Sequence, residues 1–109
     1  MKIEASSVLV SASPNPVPQT DGVWQLTLQL QETSGAPTQL ITLRIDGADY
    51  SANLNAWFGD TNIPANGTIS ATIHAGGLVT PVDKYFEFFG RDPSTGRIWY
   101  RTLTVTFTP

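Results

Sequence analysis

Aromatic side chains are the residues of this sequence best suited to binding a ligand. Tyr50, Trp57 and Phe58 cluster in one predicted connection, and Trp99 and Tyr100 lie beside the last predicted hairpin. Exposed flat rings stack on sugar rings and anchor protein interfaces. Tyr50, Trp57, Trp99 and Tyr100 are therefore the candidate binding residues. The alternative, which we favour, is that Trp57 and Phe58 plug an open edge of the fold, because a connection this long needs a small core of its own.

Three aspartates in or beside the same connection are weaker candidates for a calcium site. Asp46, Asp49 and Asp60 offer carboxylate oxygens, and calcium takes six to eight oxygen ligands in a loose geometry. Their spacing does not match an EF-hand loop. Aspartate also stabilises turns by accepting hydrogen bonds from the nearby backbone, which accounts for the Asp46-Gly47 pair. We favour the turn interpretation and predict no metal or cofactor.

Signals for catalysis are weak. The single imidazole, His74, alternates with Ile73 in a predicted strand, and a solvent-facing strand residue is the simpler interpretation. No Gly-x-Ser-x-Gly turn and no zinc-ligand spacing occurs, so we do not expect an enzyme. Asn66-Gly67-Thr68 fits the N-glycosylation sequon, but Asn-Gly is also a favoured tight-turn pair, and we predict the turn.

Length and composition limit the remaining function classes. A chain of 109 residues is long enough for a single domain, which we place at 1–109. The net charge is -3 and no run of Lys or Arg occurs, which argues against nucleic acid or an anionic membrane as partner. Cysteine is absent, which excludes disulfides and thiolate metal sites. No apolar segment approaches the roughly 18 residues of a membrane span.

Length and composition do not determine the cellular location of the protein. No signal-peptide apolar core follows Met1, so the chain is either cytosolic or a domain excised from a longer precursor. We favour the excised domain, because the sequence stops at Thr108-Pro109 directly after a predicted strand.

The stretch GVWQLTLQLQE, 22–32, is the strongest structural signal. Trp24, Leu26, Leu28 and Leu30 occupy every second position with polar residues between them, which predicts a strand with one apolar face. Burying four such side chains is worth about 6–12 kcal/mol, which rivals the net stability of a whole domain. This strand must therefore lie against a second layer.

Similar patterns predict further strands separated by turns. A first strand runs from Ile3 to Ala12 and ends before Pro14; a short edge strand follows Gly47, and a single helical turn is expected within 53–58. The residues expected to point inward on the other strands are Ile41, Leu43, Ile45, Ile69, Ala71, Ile73, Phe86, Phe88, Leu103, Val105 and Phe107.

The last strand, Ile98 to Thr108, has an ambiguous register. Uninterrupted alternation places Trp99 and Arg101 on the inward side with Phe107. Because a buried arginine is unfavourable, a bulge near Tyr100 that turns Ile98 and Tyr100 inward is the alternative. Both interpretations remain open from the sequence.

About seven short strands with turn signals every 8–14 residues predict an all-β fold: a two-sheet antiparallel Greek-key sandwich, immunoglobulin-like. The runs at 43–51, 57–59, 63–67, 86–88 and 96–99 resemble bacterial immunoglobulin-like and fibronectin type III-like modules of large secreted or surface proteins. The resemblance rests on turn and core residues and implies a spacer, adhesive or accessory domain outside the cell.

Two functions from different classes follow. The first is a non-catalytic structural or adhesive module whose partners are neighbouring domains of a multidomain extracellular bacterial protein. The alternative is an accessory module that binds a polysaccharide or a cell-surface protein through exposed aromatics, and it requires that Trp57 and Trp99 are not both buried. An enzyme centred on His74 ranks third.

Overall fold

A computed structural model describes residues 6–109, which contain nine β-strands, a 3-10 turn and one short α-helix. No helix in this range is long and apolar enough to cross a membrane. The predicted start of the first strand at Ile3 lies outside the described residues, and its predicted end before Pro14 is confirmed. The elements are β1 Val8–Ser13, β2 Gln19–Thr20, β3 Val23–Glu32, β4 Thr38–Ile45, β5 Ala48–Asp49, the 3-10 turn Ser51–Asn53, α1 Leu54–Phe58, β6 Asn62–Ile63, β7 Thr68–Gly76, β8 Val82–Arg91 and β9 Ile98–Phe107.

The strands form two antiparallel sheets. In the first sheet, β3 is central, with β7 along one edge and both β1 and β2 along the other. In the second sheet, the order is β4-β8-β9, and the short strands β5 and β6 both pair with the free edge of β4. The chain changes sheet between β3 and β4, returns at β7 and changes again at β8. The predicted two-sheet Greek-key sandwich is confirmed.

The core lies between the sheets and is built from alternating residues of the long strands. Trp24, Leu26, Leu28 and Leu30 of β3 are all buried, as the alternation predicts. They face buried side chains of the second sheet, namely Leu40, Leu43, Phe86, Phe88, Trp99, Val105 and Phe107. This mutual burial is the main stabilising contribution to the fold.

The predicted helical turn is also confirmed. The 3-10 turn and α1 together cover 51–58, and the helix stops at Gly59, whose φ of 78° is accessible to glycine without a side-chain clash. Leu54 and Phe58 are buried and belong to the main core. This segment therefore covers part of the sandwich rather than standing away from it.

One inward prediction is wrong because β4 contains a bulge. Leu40 pairs with Gly90, and Thr42 pairs with Phe89, so Ile41 is an extra residue in β4 and its side chain faces solvent. A bulge reverses the facing of every residue on one side of it. Leu40 therefore points inward before the bulge, and Leu43 points inward after it.

The last strand has no bulge. Pairing between β8 and β9 is continuous from Val82↔Phe107 to Arg91↔Ile98, so Trp99 is buried while Ile98 and Tyr100 are exposed. Arg101 does share the inward side, but β9 is an edge strand, and its guanidinium passes out between the sheets. There Nε donates to the Val8 carbonyl at 2.9 Å, and Nη1 donates to the Tyr100 carbonyl at 2.8 Å.

Candidate functional site

Tyr50 and Trp57 lie together where β5 leads into the helical segment. Their rings stack with centroids 5.7 Å apart, and both side chains are half-buried. The Tyr50 backbone N–H donates to the Leu43 carbonyl at 2.8 Å, which fixes the start of the 3-10 turn. Because Leu54 and Phe58 of α1 enter the core while Trp57 covers them from outside, the predicted plug describes this segment well.

A shallow cleft of about 320 Å³ lies beside the Tyr50–Trp57 stack, between the two sheets. Its walls are largely apolar and include Ile45 and Ile73. At its rim, Lys84 Nζ lies 3.2 Å from Asp46 Oδ2, so these two charges satisfy each other. The cleft has the apolar lining of a small-molecule site but no set of convergent free polar groups.

Trp99 is a core residue, not a surface residue. Only 3% of it is exposed, and its Nε1–H donates to the Thr38 hydroxyl at 2.7 Å. The ring lies directly against Gly90, where an added Cβ would come within 2.0 Å of the indole. Trp99 therefore cannot belong to an exposed aromatic platform, and of the candidate tryptophans only Trp57 reaches the surface.

Tyr100 is exposed and belongs to a different group of rings on the outer side of the second sheet. Its ring packs against Phe89 with centroids 4.7 Å apart, and its hydroxyl donates to the Glu87 carboxylate at 2.6 Å. The hydrogen bond to Glu87, and next the hydrogen bond with Tyr85, raise the pKa of Tyr100 above its ordinary value. We call this outer surface of the second sheet the aromatic face; it is formed by Ile41, Tyr85, Phe89, Ile98 and Tyr100.

The three candidate calcium ligands do not converge. Asp46 Oδ1 accepts the Tyr85 backbone N–H at 2.8 Å, a hydrogen bond that lowers the pKa of Asp46. Asp49 accepts the hydroxyl and the backbone N–H of Ser51, which lower its pKa in the same way. Asp60 accepts the backbone N–H of residue 62 at 2.9 Å. Asp49 and Asp60 each stabilise their own turn, whereas Asp46 links its turn to β8, and residues 6–109 contain no cluster of three or more metal-binding side chains.

His74 and the sequon also have local partners. His74 is exposed, with Nε2 3.1 Å from Gln25 Oε1 on the neighbouring strand β3. Asn66 adopts a left-handed conformation with φ of 58°, and the Gly67 N–H donates to the Pro64 carbonyl at 2.8 Å. The predicted tight turn at Asn66-Gly67 is therefore present.

The most unusual polar group in the molecule, the carboxylate of Glu32, was not singled out from the sequence. The Glu32 side chain is fully buried at the end of β3, yet no ion pair among residues 6–109 involves it. Burial raises its pKa, but hydrogen bonds to the ionised form outweigh this effect and lower the pKa to about 2. Its six hydrogen bonds, at 2.6–3.1 Å, come from the backbone N–H groups of Ser7, Ser34, Gly35, Ala36 and Asn66 and from the Ser34 hydroxyl.

A second buried carboxylate lies at the same end of the sandwich. Asp92 accepts the Ser6 backbone N–H at 3.0 Å, the Ser6 hydroxyl, and the Thr38 hydroxyl at 2.6 Å. Burial raises its pKa, and these hydrogen bonds outweigh that effect and lower it. Asp92 and Glu32 thus hold Ser6 and Ser7, two consecutive residues at the entry to β1, so both carboxylates serve to attach the first strand.

The sequence does contain a signal for Glu32. Counting by twos from Trp24 along β3 leads through Leu30 to Glu32, so an acidic residue lies on the inward side of an otherwise apolar series. The following stretch, TSGAP, supplies a tight turn, and the N–H groups of Ser34, Gly35 and Ala36 donate to the Glu32 carboxylate. An inward carboxylate next to the backbone donors of a tight turn predicts this kind of buried anion site.

Comparisons with known proteins identify no family. No protein-family model matches the chain, and no curated protein matches it. Among solved structures, the chain is similar to the CARDB domain of the PF1109 protein from Pyrococcus furiosus, which was crystallised in complex with di-metal ions. The identity is 9% and the TM-score 0.47, over 99% of this chain and 98% of that one. At these values, the similarity assigns neither a metal site nor a function to this chain.

Proposed function

We propose that this chain is a non-catalytic structural module that holds neighbouring domains apart in a multidomain secreted or cell-surface bacterial protein. The observation that carries the proposal is that Ser6, at the entry to β1, and the end of β9 lie at opposite ends of the sandwich. Domains joined to these ends would be separated by the length of the module.

Hydrogen bonds fix both ends in place. Ser6 is bonded to Asp92, which lies in the loop between β8 and β9. At the far end, Thr108 donates its N–H to the Val17 carbonyl at 2.9 Å and accepts the Trp24 indole N–H at 2.7 Å. Because β9 has 10 residues, these two ends are about 30 Å apart at roughly 3.3 Å per residue.

The strands that leave the module at each end are arranged to resist tension. Residue 17 pairs with Phe107 in a parallel bridge, with hydrogen bonds from Val17 N to the Thr106 carbonyl and from Thr108 N to the Val17 carbonyl. β1 and β9 run in the same direction, so opposite pulls on the two ends slide these segments past each other. The two backbone hydrogen bonds of this bridge are then loaded in shear and break together rather than one after another.

The extracellular location and the bacterial source belong to the proposal and draw on the resemblance to immunoglobulin-like surface modules. The partners would be the neighbouring domains of the parent protein. Among residues 6–109, no buried side-chain polar atom lacks a hydrogen-bond partner, as expected of a domain built for stability.

A second candidate function is a binding module. The specific observation that favours it is the exposure of Tyr100, with its neighbours Tyr85 and Phe89, on one side of the second sheet. Exposed tyrosines of this kind stack on polysaccharides or anchor cell-surface proteins. Trp57 supplies a further half-exposed ring, whereas Trp99 does not contribute.

A distance measurement tests the spacer proposal. The chain has no cysteine, so Leu9→Cys and Pro109→Cys, both exposed, can carry two spin labels for pulsed electron resonance. Arg101 lies level with Val8, so the two labelled backbones are expected about 26 Å apart, with a narrow distribution. The control pair Gln19→Cys and Pro109→Cys, at one end of the sandwich, should give a clearly shorter distance. A broad distribution, or equal means for the two pairs, would contradict a rigid spacer.

A further inference from the structure

The outer sides of the two sheets differ in chemistry. The first sheet presents mainly glutamine, threonine and serine side chains, among them Gln25, Gln29 and Ser70, with the exposed apolar residues Leu9 and Val23 on separate strands. The second sheet presents the aromatic face, where Ile98 is 60% exposed and Ile41, Tyr85 and Tyr100 are each exposed by more than 40%. Large apolar side chains grouped on one side of a sheet are typical of a surface that another molecule covers.

The outward residues of β8 are arranged so that two copies of the strand, lying antiparallel, complement each other. They read Asp83, Tyr85, Glu87, Phe89 and Arg91, so the strand carries an acid at one end, a base at the other and a ring on each side of the centre. Turning a second copy end to end places Asp83 opposite Arg91 and Tyr85 opposite Phe89. This reciprocity is the property that a twofold-symmetric interface requires.

We propose that the aromatic face binds a second copy of this chain, with the two β8 strands antiparallel and the twofold axis passing beside Glu87. This inference is independent of the spacer proposal, because it concerns the side of the sandwich and not its ends. The partner is chosen by charge complementarity along β8 together with the exposed apolar residues on both sides of it.

Asp83 and Arg91, the charged residues at the two ends of β8, are available for this pairing. Within residues 6–109, the two ion pairs are Lys84 with Asp46 and Arg97 with residue 92, so neither Asp83 nor Arg91 has an ion-pair partner among these residues. Asp83 accepts one hydrogen bond from Thr106, which leaves its second oxygen free. Both side chains are exposed.

The distances are also compatible. Sheets that pack face to face lie about 10 Å apart and cross at about 30°. Four residues separate Glu87 from Asp83 and from Arg91, which is about 13 Å along the strand. At that distance from the centre, the 30° crossing displaces the two facing strands sideways by about 7 Å. The arginine side chain is long enough to reach the aspartate of the other copy across this displacement.

The centre of the interface is neutral as a whole. Arg44 is the register partner of Glu87 on the adjacent strand, and its guanidinium lies 5.5 Å from the centre of the Phe89 ring. Two copies therefore bring two carboxylates and two guanidinium groups to the axis. The axis places Glu87 opposite Glu87 and Arg44 opposite Arg44, so each Glu87 lies diagonally across from the Arg44 of the other copy, and this diagonal attraction offsets the repulsion between like charges.

Charge-swap variants test the proposal by sedimentation velocity over a concentration series up to about 0.5 mM. We expect a reversible dimer for the unchanged chain. Asp83→Arg and Arg91→Asp should each raise the dissociation constant at least tenfold, because like charges then face each other. The double variant restores opposite charges and should return to within about threefold of the unchanged chain.

Gln31→Arg and Gln31→Asp, on the outer side of the first sheet, are the controls and should leave the dissociation constant unchanged. Thermal melts of every variant at a low concentration confirm that each one is folded. A chain that stays monomeric throughout the series would overturn the proposal. So would a double variant that stays as weak as the singles, or control variants that weaken the dimer equally. Polysaccharide binding by a monomeric chain would assign the face to a different partner.

Discussion

Replacing Glu32 with glutamine is expected to lower the free energy of unfolding at pH 7 by about 3 kcal/mol. The carboxylate accepts six hydrogen bonds and is fully buried, and its pKa of about 2 lies well below its ordinary value of 4.5. Each pKa unit corresponds to about 1.4 kcal/mol of preference for the ionised form in the folded state. A glutamine amide cannot accept at its NH₂ end, where backbone N–H groups would meet it. Urea unfolding followed by circular dichroism measures the loss.

The Glu32 carboxylate also predicts how the free energy of unfolding depends on pH. A carboxylate whose pKa is lower in the folded than in the unfolded state contributes stability that is fully present above the unfolded value, near 4.5, and is lost as the pH falls toward about 2. The unchanged chain should therefore lose stability across this window, and Glu32→Gln should lose less. Glu87→Gln, which changes a half-exposed carboxylate with one hydrogen bond, is the control and should cost under about 1 kcal/mol. Equal effects of the two substitutions would contradict the role of Glu32.

Leu28→Asp should abolish cooperative folding. Leu28 has no exposed surface and lies midway along β3, between the two sheets. Removing a buried leucine costs about 2–5 kcal/mol, and a buried charge without a partner costs several more. The sum approaches the whole net stability of about 5–15 kcal/mol. A thermal melt followed by tryptophan fluorescence should show no transition.

Gln29→Asp is the matched control for this change. It introduces the same charge one residue away, on the exposed side of the same strand. Its melt should stay close to that of the unchanged chain, since exposed substitutions usually alter stability by about 0.5 kcal/mol or less. A cooperative melt for Leu28→Asp near the original temperature would show that the strand does not bury this side.

The sequence predicted the fold well where a strand alternates without interruption. β3 and β7 follow simple alternation, and their inward residues, from Trp24 to Ile73, lie on the predicted side. The turn residues were equally informative. At the predicted tight turn, Asn66 adopts a φ of 58°, and the Gly67 N–H donates to the Pro64 carbonyl.

Alternation fails where pairing depends on a neighbouring strand. The bulge at Ile41 depends on how β4 meets β8, which the residues of β4 alone do not specify. The sequence left the register of β9 open between uninterrupted alternation and a bulge, because an inward arginine is unfavourable. The structure has uninterrupted alternation, since β9 is an edge strand from which the Arg101 side chain reaches the Val8 carbonyl. Both cases depend on an edge or a register, which are set by tertiary structure.

The candidate binding residues do not form one site, and the cause is again the tertiary structure. Four aromatic residues were candidates for a binding surface, but alternation in β9 sends Trp99 into the core and Tyr100 to the surface, one residue apart. Tyr50 and Trp57 lie at a different place, beside the helical segment. The aromatic face depends on Tyr85, Phe89 and the bulged Ile41, so it becomes visible only when three strands are placed side by side.

The central claim is that the module bears load between its two ends, and forced unfolding of single molecules tests it most directly. A chain pulled through its two ends should unfold at a higher force than one pulled through the N-terminus and Ser94, which lies in the hairpin loop at the same end of the sandwich as Ser6. The first geometry shears the bridge between Val17 and Phe107, and the second peels one strand at a time. Equal unfolding forces in the two geometries would contradict the account.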